Sequence, residues 1–279
     1  ICTGQSREGC TMSKLKRRGY LVIKNIFLVL VVLTSLFPIY WTLVNSFRTN
    51  TQILSVFRLF PEQVGFENYD KIFRVDVLPT AFMNSVVITG TTMALTALLT
   101  MMAAYALSCY RFKLGGWIYS LFAAGIFIPS ATTMGMIYKL LQSMQLLGKR
   151  SGIVLLYTAG RIPLSIFLLV AFMKAIPDSV KEAAVIDGCS PWKLFTKIIC
   201  PLSQNGLIIV LILTFINVWN DYIWSMILLP SASRRTLTVA LAFFKGEYFT
   251  DYGLLSACVI VGLLPIVTVY LIMSDKIIN

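Results

Sequence analysis

Six apolar stretches, at 25–47, 81–109, 117–143, 153–173, 204–229 and 253–274, are each long enough to cross a lipid bilayer. At about 1.5 Å of rise per residue, each covers a hydrocarbon core of ~30 Å with length left over for tilt. Inside lipid every backbone N–H and C=O must find its partner within the chain, so stretches of this length must be helices. The composition agrees: 57% of residues are hydrophobic and 13% are charged, against about 25% charged in soluble domains. The expected fold is therefore all-α integral membrane, with six transmembrane helices. Residues 1–24 form a cytoplasmic N-terminal segment and 25–279 a transmembrane domain. Met12, followed by Ser13-Lys14-Leu15-Lys16-Arg17-Arg18, reads as a natural start, which makes 1–11 a leader. The basic stretch before a long apolar run, with no A-x-A site after it, reads as an uncleaved signal anchor.

Orientation follows from the loop cations. With both termini inside, 13 Lys and Arg fall on the inner side and nine on the outer: Arg48, Arg58, Lys71, Arg74, Lys149, Arg150, Arg234, Arg235 and Lys245. Arg7, Lys276 and the five cations between 14 and 24 are among the inner ones, and the first span usually dominates. The net charge of +12 is read as orientation and contact with anionic lipid, not as nucleic-acid binding. Histidine is absent, which removes the commonest general base and metal ligand. The cysteines at 2, 10, 109, 189, 200 and 258 form no CxxC pair or metal spacing and read as reduced fillers.

Polar residues recur at helical spacing within three spans. Ser85, Thr89, Thr92 and Thr96 share a face of the second, best read as helix–helix glue. Tyr157, Arg161 and Ser165 share a face of the fourth, and Thr214, Asn217, Asp221 and Trp224 a face of the fifth. Because these two faces carry charge, they read as lining a water-filled path. Arg161 and Asp221 each cost roughly 2.5–3.5 kcal/mol at a helix centre and should be paired. Both lie eight residues from the outer end of their spans, about 12 Å deep, so an ion pair near an outer gate is expected. Lys139 snorkels outward. Pro38, Pro129, Pro163 and Pro265 kink their helices. Trp219, Tyr222 and Trp224 suit either stacking on a ligand ring or the aromatic belt at the outer interface.

Between the fourth and fifth spans lies a cytoplasmic segment, 174–203, reading KAIPDSVKEAAVIDGCSPWKLFTKIICPLS. Pro177 stops the preceding helix, and Ser179-x-x-Glu182 is a capping box that starts a short one at Ser179. Gly188 closes it in the left-handed conformation. Ser190-Pro191 starts a second helix, with Ser as N-cap and Pro at the first position. Trp192, Phe195, Ile198 and Ile199 make that helix amphipathic, and Pro201 ends it. Physics alone leaves two readings of this helix–turn–helix. It is either a rigid knob that receives a push from a soluble partner, with slim Ala183-Ala184 allowing close approach, or an interfacial hairpin that stabilises the bundle.

Glu182-Ala183-Ala184, three residues, Gly188, nine residues, Ile198 and then Pro201 resemble the EAA loop of ABC importer permeases. Asp187, Phe195 and Trp219-Asn220-Asp221 match the maltose-type, carbohydrate-uptake version, and the resemblance covers nearly the whole chain. Cys200 stands where Leu is usual and Asn205 where a second proline is frequent. Family members usually continue past the last span with a Gly- and Lys-containing tail, whereas this sequence ends at Asn279. The resemblance implies a permease subunit of an ATP-driven importer, forming half of a sugar path in a bacterial cytoplasmic membrane. The coupling residues it implies are Ser179, Glu182, Ala183, Ala184, Asp187, Gly188, Pro191, Trp192, Phe195 and Pro201. Path or gate residues are expected at Tyr157, Arg161, Asn217, Trp219, Asn220, Asp221 and Trp224. The implied partners are a second, non-identical permease, two copies of a cytoplasmic ABC ATPase, and an extracellular or periplasmic solute-binding protein at loops 48–80 and 230–252. In maltose-type systems the partner permease holds most of the sugar, which leaves this subunit mainly lining the path.

No G-x-x-x-x-G-K-[ST] loop is present, so ATP and Mg are expected at the ATPase partners and no cofactor or catalytic residue on this chain. A non-sugar solute is the alternative cargo. An ion-coupled secondary transporter fits less well, because no repeat relates the halves and one acidic residue lies in the spans.

Overall fold

A computed structural model describes residues 5–55, 57–60, 64–74, 77–243 and 250–278, with backbone alone for 5–18 and 273–278. Cys2, Lys245 and Asn279 lie outside the described residues, as do the side chains of Arg7, Cys10, the cations at 14–18 and Lys276. The described chain is helical. Four helices carry a membrane-length apolar segment: α1 (Gln5–Ser46, apolar from Gly19), α4 (Val77–Cys109), α7 (Arg150–Lys174) and α14 (Tyr252–Ile278). Short helices α2 (Asn50–Ser55) and α3 (Glu67–Arg74) lie between α1 and α4.

The third and fifth expected spans are each interrupted: the third at Pro129, where a kink is expected, and the fifth at a break that no proline marks. The third is α5 (Gly115–Gly125) and α6 (Ser130–Ser143), inclined at 102° across residues 126–129. Pro129 is the cause. It has no N–H to donate, disfavours helical backbone at the residue before it, and sits extended at φ −68°, ψ 127°. The fifth begins with α11 (Gln204–Trp219) and breaks at Asn220–Tyr222 before α12 (Ile223–Leu228). Among the described residues, four helices are long and apolar enough to cross a membrane, and counting two bent pairs once each, α5 with α6 and residues 191–202 with α11, gives up to six spans by length and composition. Pro38, Pro163 and Pro265 lie inside α1, α7 and α14 without ending them.

The chain forms two compact units: Ile1–Asp70 with Asp251–Ile260, and Lys71–Thr250 with Val261–Asn279. In the first, Asn68 Nδ2 donates to the carbonyls of Ser46 (3.0 Å) and Arg48 (2.9 Å), tying α3 to the end of α1. A Cβ at Gly253 would clash with the carbonyl oxygen of Arg48, so only glycine admits this closeness. Among the described residues, none from 19 to 43 of α1 is buried, as expected of a helix solvated by lipid or by another subunit, whereas Val44, Asn45 and Ser46 at its end are buried.

The second unit is built on α4 and α7, which run side by side in the same direction. Ile88 packs with Ile153 and Tyr157 near one end, and Ser108 Oγ meets Met173 Sδ at 3.6 Å near the other. The Ser85, Thr89, Thr92, Thr96 stripe of α4 is buried in this packing. Ser85 Oγ accepts the Leu237 N–H at 2.8 Å, whereas the Thr92 and Thr96 hydroxyls are buried without a partner among the described residues. Gly206 lets α11 press on α7, since a Cβ there would lie 2.7 Å from the Phe172 ring. Lys139 is exposed, consistent with a snorkelling cation. A short helix, α13 (Leu237–Phe243), lies between α12 and α14.

Candidate functional site

The segment after α7 folds as a two-part helical hairpin. Its first part, α8 (Asp178–Ile186), has its N-cap at Pro177, two residues earlier than a capping box at Ser179 requires. This corrects the expected start at Ser179. Pro177 at φ −55°, ψ 138° takes the capping position and offers no side-chain acceptor. Ser179 is thereby drawn into the helical first turn, where its hydroxyl cannot serve as the N-cap acceptor. The first turn is held instead by Lys181, whose ammonium lies 2.9 Å from Asp178 Oδ1. The Lys181 hydrogen bond and charge hold the exposed Asp178 carboxyl below the usual carboxylate range.

The far end follows the expectation closely. Gly188 sits at φ +76°, the Cys189 N–H donates to Ala184 O and the Gly188 N–H to Val185 O, both at 3.0 Å. This is the two-bond C-terminal cap that a left-handed glycine permits. Ser190 then accepts the Lys193 N–H at 3.3 Å, with Pro191 at the first helical position of α9 (Pro191–Leu194).

Pro201 does not end the second part, contrary to expectation. The helical path runs on as a π turn, Phe195–Ile199, and α10 (Cys200–Leu202), then turns through 72° at Ser203. A proline ring clashes with the carbonyl four residues back, here Lys197, and the wider π turn makes room for it.

Burial sorts the hairpin residues. Ala184, Leu194, Phe195 and Ile199 face inward. Phe195 packs on Tyr105 of α4 with ring centroids 4.9 Å apart, and Tyr105 donates to Pro191 O at 2.9 Å. Tyr105 thus fixes the hairpin to the C-terminal end of α4, a role that a lone tyrosine in an apolar run does not announce. Trp192, expected on the apolar side of this amphipathic helix and among the coupling residues, is 62% exposed and leans on Phe195. The reason is position: at the second residue of α9 it precedes the turn that packs. Glu182, Ala183, Val185, Ile186 and Asp187 are exposed. Glu182, Val185 and Ile186, with Tyr110, Cys189 and Leu194, border an apolar recess of about 630 Å³. An 85% exposed isoleucine beside such a recess is a surface built to be covered.

A second site lies deeper. Tyr157, Arg161, Asn217, Asp221 and Trp224 line one cavity of about 590 Å³ together with Ser130 and Thr133 of α6. Asp221 stands in the break between α11 and α12. Its Oδ1 accepts the Tyr157 hydroxyl at 2.7 Å and the N–H groups of Trp224 (3.0 Å) and Ser225 (3.2 Å). Ser225 Oγ lies 2.9 Å from Tyr157 Oη, which has already given its proton to Asp221, so Ser225 is the donor there. The Asp221 carbonyl accepts from Thr238 at 2.7 Å. Ser225 and Thr238 are therefore parts of this network that spacing along the sequence did not reveal.

The expected Arg161–Asp221 ion pair is corrected. The two interact electrostatically, but no N–O contact within 4.0 Å joins them among the described residues. Asp221 has turned one oxygen to its own helix break, where two backbone amides and a phenol satisfy it. Three further residues are displaced from the path. Ser165 and Thr214 are buried in helix packing. Trp219 is 4% exposed, stacks on Phe215 at 5.5 Å and donates its indole N–H to Gly262 O at 3.2 Å. Asn220 is exposed, donates to Ile216 O at 2.9 Å, and borders a shallower recess with Tyr222. Trp219→Phe is accordingly expected to cost about 1 kcal/mol of stability through the lost hydrogen bond. It should leave the KM for any transported solute within about twofold, since no cavity contact is lost; a tenfold rise in KM would return Trp219 to the path.

A polytopic helical chain with a rigid, doubly capped hairpin on one side and a polar cavity among its spans has the anatomy of a transport subunit. Residues 109–276 match the family described as binding-protein-dependent transport system inner membrane component. The diacetylchitobiose uptake system permease protein NgcG of Streptomyces coelicolor is 30% identical over 93% of this chain and 87% of its own. A putative ABC transporter permease protein, ORF2, of a Caldicellulosiruptor species is 34% identical over 91% and 92%. The fold also matches a chain of a bacterial ABC transporter involved in the import of the acidic polysaccharide alginate, with TM-score 0.84 and 20% identity over 93% and 97%. The chain belongs to the binding-protein-dependent transport system inner membrane component family, the permease subunits of ABC importers, and is a multi-pass inner-membrane protein.

Proposed function

We propose that this chain forms half of the translocation path of an ATP-driven importer for a sugar or oligosaccharide, and that the hairpin 178–199 receives the motion of a cytoplasmic ATPase. The observation that carries this reading is the hairpin itself. It has a cap at each side of its turn, a buried seam on α4, and an exposed edge of Glu182, Val185 and Ile186 beside an apolar recess. Rigid anchoring lets a push at the edge reach α4 and α7 without being absorbed in the loop. ATP and Mg are bound by the ATPase partners. A second, non-identical permease completes the path and covers the lipid-facing apolar surface. A loaded solute-binding protein docks on the outer loops and favours the outward-open state by its differential affinity. Both termini lie inside. The name of the diacetylchitobiose relative supports a saccharide as cargo.

The test is capture of the ATPase by the affinity-tagged chain from solubilised membranes. Glu182→Lys reverses the charge at the centre of the exposed edge and is expected to reduce capture at least tenfold, with insertion into the membrane unchanged. Capture at the wild-type level would remove the hairpin from the interface. Uptake driven by an ion gradient without ATP would remove the importer reading altogether.

A further inference from the structure

We propose that the cavity beside the α11–α12 break is a saccharide subsite on this subunit itself, in which one sugar hydroxyl bridges Arg161 and Asp221. This subsite presupposes the transport role proposed above and adds a direct contact between cargo and this chain. The geometry leaves complementary groups unused. The bonds to the Asp221 side chain all fall on Oδ1, so Oδ2 retains its lone pairs. The Arg161 guanidinium, with five N–H donors, makes no hydrogen bond or ion pair among the described residues. Asn217 donates Nδ2 to Leu213 O at 2.7 Å and keeps its Oδ1 as an acceptor on the same cavity. Trp224, itself mostly buried in the core, borders the same cavity.

A carboxylate oxygen and a guanidinium that face one space but stand too far apart to pair are matched by a group that both donates and accepts. A hydroxyl is that group: its proton goes to Asp221 and its lone pair takes a donor from Arg161. Water meets the same need weakly. A sugar ring, with several hydroxyls, meets it several times over. Charge decides against an anionic ligand. The site holds one cation and one anion, so a carboxylate drawn to Arg161 is repelled by Asp221 nearby. The volume of about 590 Å³ falls in the range of roughly 300–1,000 Å³ found for small-ligand sites.

The experiment uses the chain co-assembled with its second permease and ATPase in lipid nanodiscs. Retention is measured for tritiated N,N′-diacetylchitobiose, maltose and trehalose, and for digalacturonate as the anionic probe. The expected result is retention of at least one neutral sugar and none of the digalacturonate. Asp221→Asn keeps the Oδ1 acceptor of the helix break but removes the negative charge, and Arg161→Lys keeps the cation but loses the fork. Each should weaken retention about tenfold. Asn217→Ala, which touches no buried network, should weaken it about threefold. Retention of no neutral sugar, preference for digalacturonate, or indifference to all three substitutions overturns the subsite. ATPase co-purification, read in the same samples, separates the two failures: its absence from wild type sinks the transport role, while its presence alongside indifferent variants sinks only the subsite.

Discussion

Gly188→Pro is expected to abolish capture of the ATPase while the chain still inserts into the membrane. Gly188 holds φ at +76°, and the proline ring confines φ to about −65°. The substitution also removes the N–H that donates to Val185 O. A backbone forced from its native well costs about 1–3 kcal/mol, and the lost hydrogen bond about 1 more. A total on the order of 3 kcal/mol lowers the population of the docking-competent hairpin about 100-fold. Space is not the issue, because a Cβ at 188 would meet nothing within 4 Å. Gly188→Asn, which tolerates the left-handed region, should therefore retain most capture, and Gly188→Ala should fall between. Equal capture by the Pro and Asn variants would show that the rigid turn is irrelevant to docking.

Asp221→Ala is expected to lower the thermal midpoint of the purified chain by roughly 6–15 °C, from a loss of about 3–4 kcal/mol. The carboxylate is the acceptor for three donors, two of them amides opening α12, and alanine leaves those amides facing nothing. Tyr157→Phe should cost less, since it removes one donor and strands only the Ser225 hydroxyl. The double variant should be less than additive, with a coupling of about 1 kcal/mol or more. The Arg161→Ala and Asp221→Ala pair should couple more weakly, because no direct contact joins them. A larger coupling for the Arg161 pair than for the Tyr157 pair, read from midpoint shifts, would reinstate the direct ion pair and displace the Tyr157 bond from the account.

The hairpin shows how far sequence reading reaches. Gly188, Ser190 and Pro191 act within a few residues of themselves, and each is found where local chemistry puts it. Ser179 fails for an equally local reason: Pro177 takes the capping position two residues earlier, which places the serine inside the first turn. Trp192 and Ala184 illustrate the next level. Helical periodicity says which residues share a face but not which face meets α4, and that choice belongs to Tyr105, more than seventy residues away.

The cavity is the harder case. Tyr157, Arg161, Asn217, Asp221 and Trp224 were legible as one group, because charge and polarity are too costly in lipid to occur without a common polar space. Trp219 joins the expected path only through the Trp219-Asn220-Asp221 run of the resemblance and its suitability for stacking on a ligand ring. The break at 220–222 undoes that grouping, since neighbours on either side of a helix end no longer share a helical phase, and Trp219 turns into the packing against Phe215 and Gly262.

What the sequence alone determined is whatever depends on short range or on solvent: membrane spans from apolar length, a bend at Pro129, a turn at Gly188, and membership of the polar cavity from the cost of charge in hydrocarbon. What tertiary structure decided is who pairs with whom. Asp221 bonds Tyr157 and not Arg161 because hydrogen bonds are made over about 3 Å between helices whose mutual rotation no single helix encodes.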